Sequence, residues 1–441
     1  MRRGVTLVLL LAGMRLILPL GEQGQGSEAL LAFGFLILAA YTVGEVGVAF
    51  RLPKVLGYLL AGIVFGPHVV GLVSEPGIER LAPVGELAVA LIAFLAGAEL
   101  QWAQVRSEGR VLSKIMVAEM SIAFFAITAL IAGMASLIPP LRGASAVEVV
   151  VTGMLFASVA VVHSPAITMA LLSETGARGP VARSTLGVVL LADVAVVILF
   201  SLTLALFGAV GAPGEGTVDV SLALVVWEIA GALVVGAAVG AGVALYLRFV
   251  GKELVLFAVL VALFGMEMAR LVHVELLLTL LTAGFVAENA TPYGDELRGA
   301  MERSAAPIFV VFFALAGAKI HLSAVAPLLP LVIPIALVRA GAIRVGVQVG
   351  VRWAGVAPSD PRHLWKGLIS QAGVAIGLAA ILSEAYPDRG AYLAGLLLAL
   401  VAVNESVGPI LFRRALVQSG DAPSEASTLR SPSTGEIVAA P

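Results

Sequence analysis

The sequence predicts an all-α protein that crosses a membrane many times. Of its 441 residues, 60% are hydrophobic and only 13% charged, against about 25% charged in a typical soluble domain. Mean hydropathy is +1.03. The apolar residues gather in runs of roughly 20, the length a helix needs to span the hydrocarbon layer. The net charge of −2 gives no basis for a nucleic-acid partner or an acidic substrate. Cysteine is absent, which excludes disulfides and thiolate metal sites. The five histidines form no His/Glu cluster at metal spacing, and no set of catalytic side chains stands at usable spacing. An enzyme is therefore not expected, and no cofactor is implied. The 48 glycines suit a bundle whose helices approach closely.

Candidate spans fall at 4–20, 29–50, 55–73, 83–100, 115–138, 147–172, 184–208, 221–247, 253–271, 275–290, 305–320, 324–350, 365–384 and 390–412. Loops with Arg51/Lys54, Arg106/Arg110/Lys114, Arg178/Arg183, Arg248/Lys252, Arg298/Arg303, Arg352/Arg362/Lys366 and Arg413/Arg414 alternate with loops that are neutral or carry Glu22, Glu75/Glu79, Glu215/Asp219 and Asp388. The positive-inside rule then places the C-terminus in the cytoplasm. Residues 1–28 hold a signal peptide or an extra first helix, giving 13 or 14 spans. The Ser/Ala/Pro-rich residues 417–441 read as a disordered cytoplasmic tail.

Two spans are interrupted. In 147–172, Ser158, His163, Ser164 and Pro165 stand at mid-membrane, and proline removes a donor and opens the helix. In 365–384, Ser370, Gln371 and Gly373 do the same. The two spans are seven segments apart, so they run in opposite directions. A pair of broken helices in two inverted halves is the sequence pointer to a transporter binding site.

The span after the first break contains Asp193, whose neighbours from Gly187 to Phe200 are all apolar or glycine. A carboxylate there costs several kcal/mol and marks an ion or proton pathway. Arg339 and Arg344, in 324–350, are its candidate basic partners, with Arg344 able to snorkel to the cytoplasmic side. Cation and proton would compete for one carboxylate, since burial favours its neutral form and a nearby positive charge its ionised form. A permanent Asp–Arg structural bridge is the alternative. Glu86, Glu99, Glu119, Glu228 and Glu267 read as helix-end or interface residues, and His68 as structural. His163 is either a proton relay or a satisfied polar group beside the kink.

Seven segments in order resemble the monovalent cation:proton antiporters, in the bacterial branch of the sodium/hydrogen exchanger superfamily. They are LGYLLAGIVFGPHVVG (56–71), SPAITMALLSE (164–174), LLADV (190–194), AGFVAEN (283–289), PIFVVFFALAG (307–317), GLISQAGVAIGL (367–378) and ESVGPIL (405–411). The resemblance covers residues 29–416. It implies a 13-helix inverted-repeat fold with a panel (dimerisation) domain and a core domain holding two crossed discontinuous helices. It implies that Asp193 binds cation and proton, with Arg344 most naturally the basic residue and Arg339 close by. It further implies exchange of Na⁺ or K⁺ for H⁺ by an elevator-like movement, a homodimer, and a place in the lipid bilayer of a bacterial inner membrane. This sequence departs from the family pattern at two places. Ala192 stands where many electrogenic members have a second acid, and Gln371-Ala372-Gly373 where Arg-Gly-Glu is often found. One carboxylate predicts electroneutral 1:1 exchange. The rival readings are a gated potassium efflux pathway and a non-transporting membrane sensor or scaffold.

Overall fold

The computed structural model describes residues 25–210, 222–371, 374–385 and 389–422. The expected first segment, Glu215/Asp219, Gly373, Asp388 and most of the tail lie outside the described residues. The helices are α1 (Gln25–Ala49), α2 (Lys54–Phe65), α3 (Glu75–Arg80), α4 (Ala82–Ala98), α5 (Trp102–Gly133), α6 (Ala146–Ala160), α7 (Pro165–Thr175), α8 (Pro180–Val210) and α9 (Leu222–Phe249). They continue with α10 (Leu254–Val272), α11 (Leu276–Ala290), α12 (Gly294–Ala318), α13 (Leu322–Val325), α14 (Leu329–Ala354), α15 (Pro361–Gly367), α16 (Val374–Ala385) and α17 (Arg389–Gln418). The described residues contain no strand. They hold nine helical spans long and apolar enough to cross a membrane, with α6 and α7 together forming one, and four shorter apolar helices.

Two helix boundaries differ from hydropathy in an instructive way. The span expected over 55–73 stops at Phe65, because Gly66-Pro67 ends the ladder before the apolar run is exhausted. At the other end, α17 runs through Gln418 rather than stopping at 416, and Asp421 accepts a hydrogen bond from the Ala182 N–H at 2.8 Å. Residues 417–422 are thus tied to the start of α8 rather than loose.

The two interruptions are local chemistry. Ser145 and Glu148 form a reciprocal capping box that starts α6. That helix ends at Ala160, and the chain restarts at Ser164, whose Oγ accepts the Ile167 N–H at 3.1 Å, with Pro165 in the first turn where its missing N–H costs nothing. In the second broken span, Asp360 caps α15 and Arg362 hydrogen-bonds it, holding its carboxyl below the usual range. That helix ends at Gly367, and α16 begins at Val374.

The apolar side chains divide into two bodies. One contains α1, α2, α4, α7 and α9–α12; the other contains α5, α6 and α14–α16 with most of α17. α8 lies between them: Ala182, Leu186 and Leu190 face the first body, while Val189, Ala192, Val196 and Phe200 face the second. Asp193 is three residues on from Leu190 and so shares the face turned to the first body.

Within the first body, glycine permits backbone contact. A Cβ on Gly97 of α4 would overlap the Leu281 carbonyl of α11, and one on Gly284 of α11 would overlap the Phe94 carbonyl of α4. Gly62 of α2 and Gly317 of α12 make the same reciprocal approach. Gly284→Ala should cost about 1–3 kcal/mol through overpacking, read as a lowered thermal midpoint in detergent. Gly242→Ala, in open space, should not lower it; equal losses would mean that these contacts do not hold the body together.

Candidate functional site

The most heavily bonded side chain inside the bundle is Arg339 on α14, with 0% exposure. Its Nε donates to the Ala160 carbonyl at 2.6 Å, Nη1 to Ile369 at 2.7 Å, and Nη2 to Val162 at 2.8 Å and Leu368 at 3.4 Å. These acceptors are the carbonyls left over where α6 and α15 stop. The last carbonyls of a helix have no partner within it and carry about half a negative charge. Two such ends meet here, and one guanidinium, with five donors in a fixed fork, satisfies both.

A second layer closes the crossing. Gln371 donates to the Ala160 carbonyl at 2.9 Å, and Asn404 of α17 holds Gln371 at 2.7 Å. His163 Nδ1 lies 2.7 Å from the Leu368 carbonyl, so that nitrogen carries the proton. Its Nε2 lies 2.9 Å from Glu119 Oε1. Nε2 therefore donates to a Glu119 carboxylate or accepts from its acid form. Glu119 is fully buried midway along α5, so of the two expected roles, helix end or interface, it takes the interface one, and its Oε2 has no hydrogen-bond partner.

Asp193 stands on the other side of the break. It lines two small cavities, each of about 30 Å³, room for about one or two waters. One is walled by α4 (Val89, Ile92, Ala93, Ala96), by Ser164 and Pro165 at the head of α7, by Phe312, and by Val374, the first residue of α16. The restarting ends of both broken spans thus face the carboxylate, and their dipoles favour negative charge. Asp193 Oδ1 is buried and has no hydrogen-bond partner. The other cavity is shared with Glu275, which caps α11 by accepting the Leu278 N–H.

The candidate residues therefore separate into three groups. Asp193, Ser164 and Pro165 share a cavity. Arg339, His163 and Gln371 form the crossing network. Ser158 turns towards α8, where Thr203 donates to it at 3.0 Å, and Ser370 is buried against Gly408 with its hydroxyl unpartnered. The expected pairing of Asp193 with an arginine needs correcting. Among the described residues Asp193 has no ion-pair partner, and Arg339 is committed to carbonyls. Arg344 is exposed and lies over the Trp365 ring at 5.8 Å. Five residues turn a helix by about 500°, so Arg344 sits some 140° away from the face that buries Arg339.

The other acids follow expectation more closely. Glu86 and Glu267 pair with Arg270, Glu99 ends α4, and Glu228 is exposed. His68 stacks on His321 beyond the end of α2. Sequence reading missed Glu275. Its position at the edge of an apolar run looks like a loop boundary, and the only signal was an acid directly before a run of leucines.

Among the described residues, a bundle of apolar helices without strands, in which two spans are broken beside a buried carboxylate, defines a polytopic membrane protein. The description "sodium/hydrogen exchanger, transmembrane" matches residues 34–413, and the chain belongs to that family. Its fold is similar to that of the sodium proton antiporter MjNhaP1 from Methanocaldococcus jannaschii in two solved structures. The structure at pH 8 gives a TM-score of 0.66 at 17% identity, covering 89% of this chain and 97% of that one. An electron-microscopy structure gives 0.68 at 15% identity, covering 89% and 98%.

Removing the Arg339 guanidinium leaves several buried carbonyls unbonded, at about 1–3 kcal/mol for each such group. Arg339→Ala should therefore lower the thermal midpoint sharply, and Arg339→Lys should recover only part of the loss. Arg344→Ala should change it little; a comparable loss at Arg344 would reverse the assignment.

Proposed function

We propose that this protein exchanges a monovalent cation, Na⁺ or K⁺, for H⁺ across the membrane, with Asp193 as the group that carries both. The observation that supports this most is the unpartnered, buried Oδ1 of Asp193 in a cavity between two apolar bodies. An ionised carboxylate in that setting is costly unless a positive charge accompanies it. Arg339 is spent on the helix ends, so the positive charge must come from solution, as a proton or as a cation. The empty, ionised carrier is then the disfavoured species. That is a physical basis for tight coupling, because the loaded states are the ones able to move. The family, and the similarity in fold to a sodium proton antiporter, agree with this reading.

One carboxylate that alternates between H⁺ and a monovalent cation carries one charge in each direction, hence 1:1 electroneutral exchange. α8 packs into the body containing α5, α6 and α14–α16 and turns Asp193 to the other body. Movement of one body against the other, in the manner of an elevator, would expose the same carboxylate to each side in turn. In this reading the core is the second body with α8 and with α7, which continues α6 across the break; the other helices of the first body are the panel, which carries the homodimer contact, and the C-terminus is cytoplasmic in a bacterial inner membrane.

The test is dissipation of a pH gradient in proteoliposomes by Na⁺, K⁺ and Li⁺ in turn. The wild type should give cation-dependent proton flux. Asp193→Asn should reduce that flux to the level of empty liposomes while still folding and inserting; normal exchange by that variant would remove Asp193 from the mechanism. The wild-type flux should leave a potential-sensitive dye unchanged, and a potential generated by exchange alone would exclude 1:1 stoichiometry.

A further inference from the structure

Glu275 is a buried carboxylate that the mechanism above leaves unused. It stands at the head of α11, on the wall of the cavity that Asp193 lines from α8. The rest of that wall is Leu190, Val194, Val197, Ile229, Leu277, Leu278, Leu281 and Val374, all apolar. Both carboxylates line this one cavity. Glu228 is exposed near the start of α9, one residue before the cavity-lining Ile229. Glu228 thus marks the end of α9 that borders the cavity, opposite Arg248 and Lys252. Arg270, near the end of α10, pairs with Glu86 and Glu267.

We propose that Glu275 is a second ligand for the transported cation, which is held between a carboxylate on α8 and one at the head of α11. This rests on the exchange reading given above. The bland role of Glu275 is to cap α11 through Leu278, and that role is real. It does not exhaust the group, because two carboxylate oxygens offer about four acceptor sites. Two acids sharing an otherwise apolar cavity repel unless a positive charge lies between them, and hard monovalent cations take oxygen ligands of this kind. Asp193 Oδ1, buried and without a partner, supplies the vacant acceptor on the opposite wall.

The geometry has a sided consequence. Asp193 is mounted on one body, and α11 belongs to the other. When the bodies move, the two carboxylates separate, so Glu275 coordinates the cation only in the state open to the face of Glu228. Only the carboxylate on α8 travels, and the 1:1 stoichiometry is unaffected.

The experiment is Glu275→Gln, whose side-chain carbonyl can still cap α11, with Glu275→Asn as a second capping variant. Cation KM is measured separately on each face in oriented proteoliposomes, beside the thermal midpoint. The inference expects KM to rise about tenfold on the Glu228 face, the loss of about one charged contact. It expects KM on the Arg248 face and the thermal midpoint to stay at wild-type values. An unchanged KM on both faces overturns the inference, as does an equal rise on both faces with a lowered midpoint, which a cap alone would produce. Wild-type exchange that survives Asp193→Asn, or no cation-dependent flux at all, would instead sink the exchange reading, so the two failures are distinguishable.

Discussion

The bond pattern of Arg339 is the constraint on which the rest of the site depends. Breaking a helix inside a membrane strands carbonyls at one end and N–H groups at the other, and no water is there to satisfy them. Here two helices break at the same place. Their carbonyl ends at Ala160 and Ile369 are gathered by one guanidinium, assisted by Gln371. Once the negative ends are neutralised from within, the restarting ends at Ser164 and Val374 remain beside Asp193. Their dipoles lower the cost of a carboxylate without cancelling its charge. The protein thus fixes one ion internally and leaves the other to be neutralised by solutes.

In the proposed mechanism this division of labour keeps the arginine away from the ion site. Had Arg339 paired with Asp193, the carboxylate would have a permanent counter-ion, and a cation would have to displace it. With the guanidinium committed elsewhere, the proposed mechanism lets proton and cation meet the carboxylate without an internal competitor. The network of His163 with Glu119 sits on the Arg339 side of the break and does not line the cavities with Asp193. It stabilises the crossing rather than the ion.

Much of this was legible in the sequence. A lone acid in an apolar run is conspicuous, and Pro165 and the polar stretch at Ser370-Gln371 mark the breaks because each removes or competes for backbone hydrogen bonds. The caps at Ser145 and Ser164 are local chemistry that the span reading passed over. The choice between Arg339 and Arg344 was not. Both stand in the same span, and only packing against α5, where Gly346 meets the backbone of Glu119, decides which face turns inward. Glu119 and Glu275 were underrated for a related reason. Hydropathy treats an acid near a span boundary as a loop residue, while the bundle brings one to His163 and the other to the cavity of Asp193 through contacts between residues far apart in sequence. The early end of α2 at Phe65 shows the reverse error, in which apolar residues continue after the helix has stopped.

The central claim is that cation and proton occupy one carboxylate in alternation, with no internal charge standing in for either. Proton release on cation binding tests this without transport. Purified protein in lightly buffered detergent solution is titrated with Na⁺ or K⁺ at a pH where the site is protonated, and the released acid is measured. Linkage predicts about one proton per bound cation, and no release from Asp193→Asn. Cation binding without proton release, or release that persists in the Asp193→Asn variant, would contradict it.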